Sequence, residues 1–390
     1  MRFLLDPEQR AFADSLDAML TAADTPSVVR AWSRGEHASG RALWRRVAGA
    51  GVFALAVPEA YEGLGPRPVE LAVAFVELGR HAVPGPLVET VAAAALLTAL
   101  DDSAPAKRLL PALASGESTA TLATGRYALD ADMADVRLTA RAARGPAGRA
   151  AGETGVGPEA SGESASRAVE SAPTAGGSAA ESRPTALSAD TRPATELRLT
   201  PPPGGTLPAA GPHASLDPAR RLFRAPTGGE LLAVGPQVTA AVAHALTWAR
   251  LATAAQALGV GLALLDRTVT YVKQRTQFGV PVGSFQAVKH QLADAKIALE
   301  FARPLLFGAA LTMTESDVAA AKVTACEAAY RAARTALQLH GAIGYTAEYD
   351  LSLWLTKARA LRTSWGSPGE CRAAVLGVPN DVVSGGGRRS

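Results

Sequence analysis

From residue 236 to about 377 the chain reads as helix almost throughout, and this stretch limits the possible folds more than any other. A first run covers 237–274. A second starts at Ser284 and carries Phe285, Val288, Leu292, Ala295, Leu299 and Ala302 at alternating steps of three and four, which puts them on one helix face. Ser316 and Asp317 are suited to cap a third, which runs to Gly341. A fourth begins near Ala347 and continues through Leu361. Four amphipathic helices with short connections bury their apolar faces together, so an antiparallel four-helix bundle is expected.

Two breaks in this region carry chemistry. At Arg275-Thr-Gln-Phe-Gly279 an arginine offers a planar fork of donors suited to phosphate oxygens. At Gln338-Leu-His-Gly-Ala-Ile-Gly-Tyr345 the glycines at 341 and 344 can end a helix and let backbone approach a ligand. Each has a plainer reading when taken alone. An arginine before a break is usually a solvated end or a carboxylate partner, and the second segment is a helix C-cap.

Residues 1 to about 117 also read as helices, with Phe12, Leu16 and Leu20 and then Leu43, Val47 and Val52 at helical spacing. Val57-Pro-Glu-Ala-Tyr-Glu-Gly-Leu-Gly65 is a turn, and a helix ending Phe75-Val-Glu-Leu-Gly79 follows it. Residues 118–235 contain short β-prone segments at 119–124, 136–139, 196–199 and 230–234, which imply a small β domain. From about 142 to 194 the chain is Ala, Gly, Ser, Glu, Pro and Arg with almost no large apolar residue. It cannot bury enough surface to offset ordering entropy, so a disordered insertion is expected there. The tail, 378–390, is expected to fray.

Composition removes several classes of function. The 39 basic and 36 acidic residues leave a net charge of only +3, so no field points to nucleic acid. Cys326 and Cys371 lack metal-ligand spacing and read as reduced thiols; no metal is expected. The most apolar run, 251–265, is too short to span a bilayer and reads as a buried helix. Met1-Arg-Phe-Leu-Leu-Asp6 leads straight into a charged amphipathic stretch, so neither a secretory signal nor a membrane partner is expected, and the cytoplasm is the expected location.

Together these motifs resemble the acyl-CoA dehydrogenase family. The resemblance rests on Tyr271, Arg275, Gln277-Phe-Gly279, Pro281, Gln286, His290 and Leu292 to Asp294, then Gln338 and the Gly341-Ala342 turn. It is supported by the order of the N-terminal motifs, by Leu110-Pro-Ala-Leu-Ala-Ser-Gly-Glu117 and by Ser215-Leu-Asp-Pro-Ala-Arg-Arg221. It implies an α+β, mostly α fold: an N-terminal helical domain (1–117), a reduced β domain (118–235) and a C-terminal four-helix bundle (236–377). It also implies α,β-dehydrogenation of an acyl-CoA thioester, in which a carboxylate removes the α proton and FAD takes hydride from the β carbon. In such proteins Arg275, Phe278, Gln286, Gln338, Gly341 and Ala342 would contact the FAD of a neighbouring subunit. Ala342 stands where the family carries a second glycine.

The residues expected around the reacting centre differ from the family pattern. The usual base position falls on Trp365 and the alternative one on Ala249, and neither side chain can accept a proton. Glu370, one turn beyond Trp365, is a candidate displaced base, or a solvated glutamate. The loop that meets the flavin ring is replaced by Leu122-Ala-Thr-Gly-Arg-Tyr-Ala-Leu-Asp130, and the tryptophan-bearing second loop is absent. Arg250 matches an arginine near the acyl-CoA site, or is a surface arginine. Contacts made to a neighbour's FAD are kept while those made to the chain's own are lost. This pattern implies a subunit that lends FAD contacts to a homologous catalytic partner. The alternatives are a self-sufficient enzyme that uses Glu370, and a flavin-free helical scaffold.

Overall fold

The computed structural model describes residues 5–143, 194–201 and 211–377. The expected disordered insertion falls almost entirely outside these residues, as does the expected frayed tail.

Six helices come first: α1 (Pro7–Thr21), α2 (Thr25–Ser33), α3 (Ala38–Gly49), α4 (Pro68–Arg80), α5 (Leu87–Thr98) and α6 (Ala104–Ala114). Asp6 opens α1 through a capping box, in which its carboxylate accepts from the Gln9 amide at 2.8 Å and the Gln9 side chain accepts from the Asp6 amide at 3.1 Å. Helix α5 is buried on every side from Leu87 to Leu97, and it carries the core beneath the sheet.

The sheet has four strands in the order β1 (Ala120–Ala123), β3 (Val136–Ala142), β4 (Thr195–Thr200), β6 (Glu230–Gly235). β1 runs parallel to β3, and the remaining pairs are antiparallel, with a register shift at Leu197/Arg198. All four lie on the segments read as strands from sequence. Two further strands, β2 (Tyr127–Leu129) and β5 (Leu222–Arg224), form a separate antiparallel pair. At three residues each they are too short to show an alternating pattern.

The rest is helical apart from a short hairpin between the first two helices: α7 (Pro236–Gln274), α8 (Gln286–Thr312), α9 (Glu315–His340), α10 (Leu351–Leu361) and α11 (Pro368–Val375). The most apolar window of α7 is wholly buried inside the protein. Four expectations need correction. Helix α8 begins at Gln286, because Phe285 is still extended. The cap of α9 is Thr314, whose hydroxyl accepts from the Asp317 amide at 3.1 Å, so Ser316 and Asp317 sit inside the first turn. Helix α10 starts at Leu351, after a 3₁₀ turn at Gly341–Tyr345. The stripe on α8 is core only from Ala295 onward, and Phe285 is exposed at its start.

The N-terminal helices meet the bundle backbone to backbone. A Cβ on Gly79 of α4 would lie 2.1 Å from the Gln256 carbonyl oxygen of α7, and one on Gly259 would lie 1.9 Å from that of Val76. Only glycine fits at either position, which accounts for the glycine closing the Phe75–Gly79 motif.

Candidate functional site

The Arg275–Gly279 break is a miniature β-hairpin. Arg275 ends α7 in extended conformation, then β7 (Thr276–Gln277) pairs with β8 (Val280–Pro281). The two residues between them, Phe278 and Gly279, have φ of 54° and 79°. Positive φ at both central positions is the signature of a type I′ turn, one of the two types whose twist matches that of the flanking strands. Gly279 meets that freely; Phe278 is strained. The strained turn points the phenyl ring outward, where it is 93% exposed, with only an edge contact to Phe285 at 6.3 Å between centroids. Arg275 and Gln286 are exposed beside it.

The second break lies at the same end of the bundle. The Tyr271 ring, one turn before Arg275, stacks on His340 at 4.1 Å, and the Tyr271 hydroxyl donates to the His340 carbonyl at 3.3 Å. His340 is the last residue of α9, and burial holds its imidazole pKa below the usual range. Gly341 follows with φ 64°, and nothing lies within 4 Å of where its Cβ would be. Gln338 and Ala342 are exposed. Gly344 differs from expectation. It is buried in the 3₁₀ turn and faces His340 and Leu337, so it packs the helix end rather than offering backbone to a ligand. Gln338 and Gly341 line a groove of about 720 Å³.

A second cavity, of about 530 Å³, opens between the β1–β2 turn, the N-terminal part of α7 and the loop before α11. Trp365 and Gly366 form its rim, both with positive φ (57° and 127°). Arg250, only 2% exposed, fastens this rim, donating from Nε to the Trp365 carbonyl at 3.3 Å and from Nη1 to Glu315 at 3.2 Å. Lys322 donates to the Gly366 carbonyl at 2.7 Å. Ala249 is fully buried in α7. Glu370 closes a capping box at the start of α11, where its carboxylate accepts from the Ser367 amide at 2.6 Å. That hydrogen bond holds its pKa below the usual range, so Glu370 is a weakened proton acceptor.

The sequence reading missed a carboxylate in this cavity. Glu89, 3% exposed on α5, accepts from the Trp365 indole Nε1 at 3.2 Å and lies 3.5 Å from Arg220. Its second oxygen has no hydrogen-bond partner. Burial pushes its pKa up, against the pull of Arg220. The signal was present: Glu89 is the one charged residue in the apolar helix Leu87–Thr98. Behind it, Lys357 and Asp217 form a buried pair at 3.3 Å.

This arrangement of helices, small sheet and bundle is that of a known family. Residues 6–117 match the acyl-CoA dehydrogenase N-terminal domain and residues 239–370 match the acyl-CoA dehydrogenase C-terminal domain. The chain belongs to the acyl-CoA dehydrogenase family. It is 30% identical over 369 residues to the acyl-CoA dehydrogenase IpdE2 of Mycobacterium tuberculosis, covering 93% of this chain and 95% of that protein. Its fold is that of butyryl-CoA dehydrogenase from Megasphaera elsdenii, with a TM-score of 0.73 at 20% identity over 97% of this chain and 99% of that one. It also matches a chain of the ChsE4–ChsE5 complex from Mycobacterium tuberculosis, with a TM-score of 0.72 at 20% identity over the full length of both.

Proposed function

We propose that this chain is a subunit of a flavin-dependent acyl-CoA dehydrogenase complex and completes the FAD site of a homologous catalytic partner. The observation that carries the proposal is a contrast between two sites. Arg275, Phe278, Gln286, Gln338, Gly341 and Ala342 are gathered at one end of the bundle and turned outward. At the chain's own reacting centre, the usual base positions hold a buried alanine and a tryptophan hydrogen-bonded to Glu89.

FAD, when bound, supplies the redox capacity for α,β-dehydrogenation of an acyl thioester. The outward residues suit its diphosphate and adenosine. Arg275 brings an exposed guanidinium that forms no ion pair among the described residues, and Gly341 leaves open space beside the groove. The chain's own residues therefore bind and orient a cofactor, while proton removal falls to the partner. That one solved relative is a complex of two different chains supports the same reading.

The test is the visible absorption spectrum of the chain purified alone and after co-expression with a homologous catalytic subunit. Flavin and dye-reducing activity with an acyl-CoA are expected only in the complex. Stoichiometric flavin with turnover in the lone chain would overturn the proposal. Absence of flavin from both preparations would point to a flavin-free scaffold.

A further inference from the structure

Helix α8 is apolar on two opposite faces. Ala295, Leu299, Ala302, Leu306 and Phe307 are buried on the side that packs against α7 and α9. On the outer side Ile297, Phe301 and Leu305 follow one another at steps of four, and Leu311 continues the stripe. They are 52%, 69%, 47% and 63% exposed. A surface helix carries polar residues on its outer face, and one that is apolar all round is covered on both sides. This stripe runs for about 21 Å and begins about 17 Å along the helix from Gln286. It therefore lies apart from the Arg275 and Gln338 end of the bundle, which the proposed function assigns to a partner's FAD.

The flank of the stripe is charged in a way that fits the stripe's own sequence. Lys296 and Glu300 sit one turn apart on the same side of α8, and both are exposed. They do not pair with each other. Lys296 forms no ion pair among the described residues, and Glu300 has only Arg303 of its own helix, at 3.9 Å. We propose that two copies of this chain pair antiparallel through α8, with Ile297 of each copy opposite Phe301 of the other and Lys296 of each beside Glu300 of the other. A two-fold axis at the level of residue 299 sets Ile297 and Phe301 face to face. It leaves Lys296 and Glu300 about 3 Å apart along the helix, within reach of a lysine side chain. The symmetry makes each contact twice, so the apolar centre is flanked by two ion pairs that fix the register. A helix face about 21 Å long and about 10 Å wide offers less than the roughly 800 Å² per partner of a standard interface, so the pair comes apart on dilution. The pairing needs no cofactor and holds whether or not the flavin reading does.

The experiment is sedimentation velocity of the full-length chain, purified alone, over a dilution series, with urea denaturation as the control for folding. A reversible monomer–dimer equilibrium is expected. Phe301→Asp should weaken the dimer at least about 30-fold in Kd while the diluted monomer keeps its urea midpoint. Lys296→Glu and Glu300→Lys should each weaken it about tenfold, and the two substitutions together should return the Kd of the unmodified chain. If Phe301→Asp fails to fold, the charge exchange still decides, because it leaves the stripe intact. A chain that stays monomeric up to its solubility limit overturns the inference. So does a dimer indifferent to Phe301→Asp, or a charge exchange no tighter than its single variants. If Phe301→Asp instead abolishes only assembly with a catalytic subunit, the stripe belongs to that partner and the self-pairing falls, while the shared-site reading stands.

Discussion

Phe278 offers the most direct separation of assembly from folding. Its ring is 93% exposed, so almost all of its apolar surface is still available to be covered by a neighbour. Burying a phenylalanine side chain contributes about 2 kcal/mol. Phe278→Ala should therefore weaken association with the catalytic subunit by about 2 kcal/mol, or about 30-fold in Kd. Alanine retains a Cβ, so the cost of the positive φ at this position is the same in both proteins and cancels. Within the lone chain the substitution removes only the edge contact to Phe285, which limits the loss of stability to about 1 kcal/mol. The assay pairs urea denaturation of the lone chain with sedimentation of mixed subunits. An unchanged Kd, or a lone chain destabilised by several kcal/mol, would show that the ring packs internally and that the hairpin is not an interface.

Three further outcomes follow from the buried polar groups. Lys357→Met removes one partner of a pair whose members are both almost fully buried, and should cost about 3–5 kcal/mol in chemical denaturation; adding Asp217→Asn should recover part of it, and no recovery would refute the pairing. Trp365→Phe strips Glu89 of its indole donor while its other oxygen is already unpartnered, so a loss of about 1–3 kcal/mol is expected, and wild-type stability would contradict the contact. Burial pushes the Glu77 carboxyl up to about 7 against the pull of Arg80, so the folded state favours its protonated form. The stability this contributes is complete below the unfolded pKa of 4.5 and is lost as pH rises through about 7, with a ceiling of about 3 kcal/mol. Glu77→Gln should flatten the denaturation midpoint between pH 4 and 8, and an unaltered profile would assign the dependence elsewhere.

The helices and four main strands were legible because their apolar period is local. Leu292 to Ala302 mark α8 whatever surrounds it, and four alternating segments mark the sheet. Helix ends were less legible. Ser316, Asp317 and Thr314 are all competent caps, and only the backbone path selects Thr314. Arg275, Phe278, Gln338, Gly341 and Ala342 could be singled out because they lie in two contiguous motifs, while Gln286 lies in the helix that follows. The inner cavity was not legible, since Glu89, Arg220, Arg250 and Trp365 come from four distant parts of the chain. Sequence singled out Arg250 and Trp365 separately and left Glu89 as a lone charge in an apolar helix, and only folding makes Glu89 a buried carboxyl beneath a tryptophan. Glu370 shows the converse: its spacing from Ser367 is that of a capping box, which gives it a local role without any cavity.

The contact of Gly79 with the Gln256 carbonyl, and of Gly259 with that of Val76, bears on how this protein can move. A hinge works where side chains can change rotamer or slide past one another. Here two main chains touch with nothing between them, and the same contact is made twice within one turn. The N-terminal helices cannot swing over the bundle as a lid without separating those backbones. Helices α4 and α7 therefore form a keel, a rigid spine shared by both halves of the chain. Changes in the shape of the groove at Gln338 fall to the parts that lie off this spine, the hairpin at Phe278 and the turn at Gly341.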